Sequence, residues 1–261
     1  MTNNWTFCDL KTYKPLTVLI KPQTLITGTF QNHCDRVVKN IADQGRPIAL
    51  FYSGGLDSEF ILSVFLRNNI PATPVVIATP FNKQELCYAV EFLKQNNLDP
   101  IIYQYDNESF FRNSLATAKK LNIRNLSQAI QLSLMDELTC LNYNVITGHG
   151  DPYFSELNMS FGEWDFYYLN FYPNHVGAFF LYDYSLHRCM VEEFKYSEPI
   201  QANKCRLYNL EMRPKIDLSK AFLKYASTFN LPESLTLQIP VKQYKEALQS
   251  NQPTLFSSTK L

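Results

Sequence analysis

Along this chain, apolar residues gather in short unbroken runs, separated by longer stretches where they recur every three or four positions. Ile48 to Tyr52 is the sharpest run, and Ser-Gly-Gly stands directly behind it. An apolar run of that length bounded by a turn signal reads as a strand buried on both faces. Val75 to Ala78, Ile101 to Tyr105 and Asn144 to Thr147 predict three more strands. Between them, Ser58 to Arg67 is apolar nearly all round (Phe60, Ile61, Leu62, Val64, Phe65, Leu66), as expected of a helix enclosed by neighbours. Asn82 is placed to cap a further helix whose Leu86, Ala89, Val90 and Leu93 fall on one face. Helices are also predicted over Phe110 to Lys120 and Leu126 to Leu141, the second with a stripe of Leu126, Ile130, Leu134, Leu138 and Leu141. Strands alternating with helices imply an α/β fold: an open, mostly parallel, doubly wound sheet with helices on both faces.

Outside this core the pattern is less regular. Leu16 to Ile20 and Thr24 to Thr29, separated by Lys21-Pro22-Gln23, predict a hairpin or edge extension, with a helix following near Cys34 to Asp43. Val176 to Phe194 reads as one long helix, Ala221 to Phe229 as a helix capped by Ser219, and Tyr244 to Gln249 as a short one. The organisation expected is an N-terminal β extension over residues 1–45, the α/β core over 46–160 and a mostly helical C-terminal part over 161–261.

Composition narrows the partners. The 24 basic residues balance 24 acidic ones, whereas a surface for nucleic acid normally carries a basic excess or stripe. The tightest basic group, Lys204, Arg206, Arg213 and Lys215, is too small for that role, so a small-molecule substrate is expected; a homo-oligomer stays open. None of the six cysteines forms a C-x-x-C pair, and Cys87 and Cys189 lack a flanking base that would activate a thiol. The cysteines are therefore expected to act as small buried hydrophobes. With no cleavable signal and no apolar run of about 18 residues, no membrane span is expected, and the chain reads as a soluble, cytoplasmic protein.

Glycine is scarce, eight in 261 residues, so its positions are informative. Gly54 and Gly55 follow the first core strand within Ser53-Gly54-Gly55-Leu56-Asp57-Ser58, and a helix comes next. Adjacent glycines let backbone N–H groups converge on one point without Cβ obstruction, and the helix adds its unpaired N–H groups and positive dipole end. Ser53 and Ser58 bring hydroxyl donors. Asp57 would repel a bare phosphate, which points to a divalent cation between the two, with Mg²⁺ and oxygen ligands the natural choice. Gly148 and Gly150 flank His149 after the fourth strand, and Asp151 follows. Both segments fall beyond the carboxyl ends of predicted strands, where open α/β sheets bind ligands.

The loop is not a Walker A sequence, since G-x-x-x-x-G-K-[ST] is absent. It resembles the S-G-G-x-D-S signature of the PP-loop ATP pyrophosphatases, the adenine nucleotide alpha hydrolase-like group of the HUP fold, at six of six positions. That superfamily includes the synthetase domains of asparagine, GMP and NAD synthetases and several adenylating tRNA-modifying enzymes. The resemblance implies ATP as substrate, held through Ser53, Gly54, Gly55, Leu56, Asp57 and Ser58. A substrate oxygen attacks the α-phosphorus, pyrophosphate leaves, and a second nucleophile then displaces AMP.

It further implies contacts to adenine and ribose near Ala78 and Thr79, mainly through backbone groups. Gly148 and His149 would lie at the ligand, with Asp57 and Asp151 on Mg²⁺ and pyrophosphate. Catalytic roles would fall to Asp57, Asp151 and a C-terminal cation such as Lys215; Lys204, Arg206 and Arg213 are further candidates. The match after the fourth strand is partial, because Pro152 stands where a second acid is usual. Aromatic residues from Trp164 to Tyr172 would line a substrate pocket or the core. The nearest wording is that of asparagine synthetase, but only 52 residues precede Ser53, too few for the glutaminase domain of that enzyme. The expectation is thus an adenylate-forming amidoligase using ammonia or an amine. A tRNA- or nucleobase-modifying enzyme, a sulfonucleotide reductase relative and a non-catalytic ATP-binding module are the alternatives.

Overall fold

The computed structural model describes residues 5–8, 17–20, 26–79, 82–121, 126–149, 153–155, 158–160, 176–195 and 197–212. In chain order it runs β1 (Trp5–Cys8), β2 (Thr17–Ile20), α1 (Phe30–Ala42), β3 (Ile48–Phe51), α2 (Leu56–Arg67), β4 (Thr73–Ala78) and α3 (Lys83–Gln95). There follow β5 (Ile101–Gln104), α4 (Asn107–Leu121), α5 (Leu126–Cys140), β6 (Asn144–Thr147), β7 (Tyr153–Ser155), β8 (Asn158–Ser160) and β9 (Val176–Ala178). A single 3-10 turn, Phe179–Leu181, leads to α6 (Tyr184–Glu193) and α7 (Ile200–Tyr208).

Five strands form an open, all-parallel sheet in the order β5-β4-β3-β6-β9, the α/β architecture that the alternation of runs predicts. Ile48 lies opposite Asn144 and Leu50 opposite Ile146, while Val145 lies opposite Val176 on the far side of β6. All four residues of β3 and all four of β6 are buried, so both faces of the sheet are covered at its centre. That double burial is why these strands read as unbroken apolar runs rather than alternating ones. From β3 the chain steps outward to β4 and β5, then returns to β6 and steps outward the other way. The winding direction thus reverses between β3 and β6, and in doubly wound sheets the carboxyl ends of the strands at such a switch point are where ligands bind.

Two compact units make up the chain, one of residues 1–76, 88–101 and 138–213, the other of 77–87, 102–137 and 214–261. In the first, α1 buries Phe30, His33, Cys34, Val37, Val38 and Ile41, the spacing of one helical face, and packs on α2 and α6. Thr29 and Asn32 close its first turn reciprocally, each side chain accepting from the other's backbone N–H at 3.2 Å. Helices α2, α3 and α5 end on Asn69, Asn97 and Asn142 in the left-handed region, with φ of 55°, 52° and 65°. In each, the next residue's N–H reaches back five positions (Ile70 to Phe65, Leu98 to Leu93, Tyr143 to Leu138), satisfying carbonyls at the helix end. In the second unit, Asp106 caps α4 by accepting from Ser109 N at 2.7 Å, and these contacts hold its carboxyl below the usual range. Phe110, Phe111, Leu126, Ile130, Leu134 and Met135 are buried there.

Several expectations are corrected. β2 pairs antiparallel with Trp5–Cys8 rather than with a strand at Thr24 to Thr29, whose described residues, 26–29, form no strand. Val176 to Phe194 is not one helix: Val176–Ala178 enters the sheet as its fifth strand, and a new helix starts only after Asp183, which caps it by accepting from Leu186 N at 3.0 Å. Val90 and Leu141, assigned to apolar stripes, are exposed. Asn82 opens α3, its carbonyl accepting from Leu86 N at 3.0 Å, and its side chain accepts from Thr79 N at 2.9 Å and donates to Ile77 O at 2.8 Å. Of the cysteines described, Cys34 is buried, whereas Cys87 and Cys140 are exposed. The helices expected over residues 221–229 and 244–249 and the aromatic segment 164–172 lie outside the described residues.

Candidate functional site

β3 ends at Phe51 and α2 begins at Leu56, so Ser53, Gly54 and Gly55 make the turn between a buried parallel strand and a helix N-terminus. The two glycines are needed for different reasons. Gly54 has φ of +81°, where a Cβ is strained. Gly55 is extended, but a Cβ on it would stand 3.2 Å from the Ser53 hydroxyl folded over it. Gly55 is the N-cap of α2 and supplies no side chain to the helix, so no cap competes with a ligand for its first N–H groups.

The serines shape the loop from inside. Ser58 Oγ accepts from Ser53 N at 3.2 Å and donates to Gly55 O at 3.1 Å. Ser53 Oγ accepts from Gly55 N at 3.2 Å, and the two hydroxyl oxygens lie 3.3 Å apart. Ser58 is buried. The loop is thus held by its own hydrogen bonds, which is the preorganisation an anion cradle requires.

Asp57, on the first turn of α2, meets two side chains of α7. Lys204 Nζ donates to its Oδ2 at 2.8 Å and Tyr208 OH to its Oδ1 at 2.8 Å. The Lys204 side chain is 12% exposed and that of Asp57 28%, so this ion pair is shielded well beyond a surface pair. Tyr208 is fixed by an aromatic stack: its ring lies 4.3 Å from Phe60 at 9°, 5.8 Å from Phe180 at 5° and 6.1 Å from Phe30 at 18°. All four rings are buried. Side chains from α1, α2, the 3-10 turn and α7 therefore set where that phenol points.

The end of β6 closes on the same place. A Cβ on Gly148 would stand 3.3 Å from Asp57 Cβ and 3.4 Å from Ser58 N. His149 comes next; burial pushes its imidazole down to about 4, with Asp57 opposing that shift and Lys204 adding to it. It is neutral at physiological pH.

Among the residues expected at the site, Ser53, Gly54, Gly55, Leu56, Asp57, Ser58, Gly148 and His149 come together. Of the basic candidates described, Lys204 reaches the loop, while Arg206 turns to Glu193 O at 2.7 Å and Asn203 Oδ1 at 2.8 Å. Ala78 ends β4 in the other unit, and its carbonyl accepts from Tyr105 N at 2.8 Å. Thr79 N donates to Asn82 Oδ1 at 2.9 Å, so both residues have backbone groups already engaged. Gly150, Asp151, Arg213 and Lys215 lie outside the described residues. Tyr208 was not foreseen. Its signal is its place four residues after Lys204, on one face of a helix that starts behind Pro199.

The Mg²⁺ site expected of Asp57 also involves Asp151, which lies outside the described residues. Both oxygens of Asp57 accept from Lys204 and Tyr208, and among the described residues no three His, Cys, Asp or Glu side chains gather to hold a metal. A metal of this kind needs several oxygen ligands in near-octahedral arrangement. Cys189 is not an activated thiol: burial and a 3.3 Å contact to Glu193 push it up to about 12.

No protein-family model matches the sequence, and no curated protein matches it significantly. Among solved structures, the chain is similar to the NH3-dependent NAD synthetase of Campylobacter jejuni at 17% identity, over 85% of this chain and 82% of that one, with a TM-score of 0.38. It is similar to the NMN synthetase of Francisella tularensis at 14% identity, over 73% of this chain and all of that one, again at 0.38. The glutamine-dependent NAD+ synthetase of Acinetobacter baumannii, solved with ADP, matches at 14% identity over 92% of this chain and 44% of its own, at 0.39. At such identities and scores no residue role is carried over from them.

Proposed function

We propose that this protein binds ATP at the Ser53–Ser58 loop and splits it between the α- and β-phosphorus, activating a substrate oxygen as an adenylate. The observation that carries this reading is the Ser-Gly-Gly-Leu-Asp-Ser turn between a central parallel strand and a helix N-terminus, beside the switch point of a doubly wound sheet. In the proposed reaction a carboxylate oxygen attacks the α-phosphorus, the bond to the bridging oxygen breaks, and that oxygen leaves with the electron pair as pyrophosphate. Ammonia or an amine then attacks the acyl carbon and AMP departs. The N–H groups opening α2 and the ammonium of Lys204 face the charge that grows on the leaving pyrophosphate; donors fixed in advance at such a place stabilise the transition state by several kcal/mol, roughly 3 for a single donor. The acceptor proposed is a small carboxylate, as in a stand-alone asparagine-synthetase-like amidoligase.

The test is product analysis. ATP with Mg²⁺ and ammonia is offered together with pools of carboxylates, amino acids and nucleosides, and pyrophosphate and phosphate release are followed separately. Pyrophosphate and AMP released in the presence of one pool support the reading and name the acceptor class. Phosphate release, or ATP binding without either product, removes it in favour of a non-catalytic nucleotide-binding module or a different cleavage.

A further inference from the structure

The carboxylate beside the loop is oriented from a distant helix. Asp57 Oδ1 accepts from Tyr208 OH at 2.8 Å, across 151 positions of sequence. The last turn of α7, which carries that phenol, is itself held from several sides. Asn209 follows Tyr208 with φ of 56° and ends the helix there. Gln31 Nε2, on the first turn of α1, donates to Leu207 O at 2.9 Å. Phe30, its neighbour on α1, stacks on the Tyr208 ring, as Phe60 and Phe180 do. None of the four aromatic residues is more than 4% exposed, so the phenol cannot swing out to water without breaking the stack.

We infer that Tyr208 is a positioning residue for the phosphate loop: it fixes the direction of the Asp57 carboxylate and, through it, the affinity of the loop for a diphosphate group. The inference rests on the proposal that this loop holds the phosphates of ATP. Asp57 is the one acid of the Ser53–Ser58 turn, and it stands on the first turn of α2, beside the N–H groups that would receive the anion. A carboxylate turned toward a phosphate there repels it, whereas one turned to a donor or a cation does not. An aspartate side chain has several staggered rotamers open to it. A hydrogen bond from a fixed phenol selects one of them before the ligand arrives and draws charge toward α7. Lys204 donates to the other oxygen at 2.8 Å, so two residues four apart on one helix define the plane of the carboxylate. That orientation matters equally for a cation supplied by Lys204 and for one bound from solution.

The experiment is a double-mutant cycle on the full chain: wild type, Tyr208→Phe, Asp57→Ala and the double variant, titrated by calorimetry with inorganic pyrophosphate and with ATP, Mg²⁺ being present throughout. Tyr208→Phe keeps the ring in its stack and is expected to weaken both ligands roughly fivefold or more, the loss of a hydrogen bond to a charged group. In the Asp57→Ala background the same substitution should change affinity by less than about twofold, because the group it acts through is gone. Ile41→Val, a core change on α1 of comparable cost in stability, should leave affinity unchanged, which separates positioning from mere loosening of the fold. Urea unfolding closes the same cycle for stability, so a background that binds too weakly to titrate still reports whether the phenol acts through Asp57; non-additive losses are expected. Wild-type affinity in Tyr208→Phe overturns the inference, as do equal losses in both backgrounds or an equal loss in Ile41→Val. A wild type that binds neither ligand overturns it together with the reading it rests on. Coupled binding without pyrophosphate release from ATP leaves the inference standing and removes the adenylation reading, whereas ATP cleavage with unaltered affinity in Tyr208→Phe does the reverse.

Discussion

Gly148, at the end of β6, and Asp57, on the first turn of α2, approach so closely that a Cβ on the glycine would stand 3.3 Å from the Cβ of Asp57. The next nearest atom is a backbone nitrogen, that of Ser58, at 3.4 Å. Two segments far apart in sequence are thereby joined at the mouth of the loop, and a methyl at position 148 would need its neighbour to give by a few tenths of an ångström. The neighbour that must yield is the first turn of a helix whose next turn is buried, not the tip of a flexible side chain.

Gly148→Ala should therefore lower stability by about 1 kcal/mol, the lower range for adding a methyl to a packed contact. It should also weaken pyrophosphate binding more than that loss of stability explains, because the displaced turn carries both Asp57 and the loop's N–H groups. Urea unfolding and calorimetry on the same preparations separate the two effects. Wild-type values in both would mean that α2 shifts freely away from β6.

Tyr208 offers a division between packing and orientation. Tyr208→Phe keeps the ring against Phe60, Phe180 and Phe30 and deletes the donor to Asp57 Oδ1. It should cost about 1 kcal/mol of stability, the net worth of one hydrogen bond. Tyr208→Ala empties a site in a four-ring stack and should cost about 3 kcal/mol or more. Equal urea midpoints for the two variants would contradict this account of the stack.

Much of the fold and part of the site were legible in the sequence, for reasons that differ residue by residue. Ile48–Phe51 and Val145–Ile146 read as strands because burial on both faces leaves unbroken apolar runs. The Ser53–Ser58 loop read as a site because its glycines meet local demands of φ and space. β9 was not legible: Val176-Gly177-Ala178 is too short to show a period, and the apolar Phe179, Phe180 and Leu181 behind it merge it with α6. Only the pairing of Ile146 with Gly177 places it in the sheet. α7 was missed because its buried residues, Asn203, Leu207 and Tyr208, include a polar one satisfied by Lys195 N at 2.8 Å and Lys195 O at 3.0 Å. Its bounds were nonetheless written in Pro199 before it and Asn209, at φ of 56°, after it. No local pattern announces that Lys204 reaches Asp57; that is a property of the tertiary fold.

Thiol reactivity should follow burial and charge. Cys87 and Cys140 are exposed, whereas burial holds the Cys34 thiol well above its ordinary value, and burial with Glu193 holds that of Cys189 at about 12. Since the thiolate is the reacting species, brief iodoacetamide treatment at pH 8 should label Cys87 and Cys140 and spare Cys34 and Cys189 until urea is added. Peptide mass spectrometry gives the order directly. Rapid labelling of Cys189 in the folded protein would revive it as a candidate nucleophile.

His149 makes a prediction about acid. In the unfolded chain its imidazole titrates near 6.5, whereas in the fold burial pushes it down to about 4. Above the unfolded value both states are neutral there and the full contribution to stability is present. As pH falls from 6.5 toward 4, the unfolded chain takes up a proton that the fold refuses, so stability declines, by at most about 1.4 kcal/mol for each pH unit. His33 is shifted in the same direction, chiefly by burial, and adds to the wild-type slope. The informative quantity is thus the difference between wild type and His149→Gln. From pH 7 to pH 4.5 the wild type should lose roughly 2 kcal/mol more than the variant, measured by urea unfolding across the range. Parallel profiles would place the imidazole in water, free to titrate as in the unfolded chain, and would remove it from the neutral wall of the site beside Asp57 and Lys204.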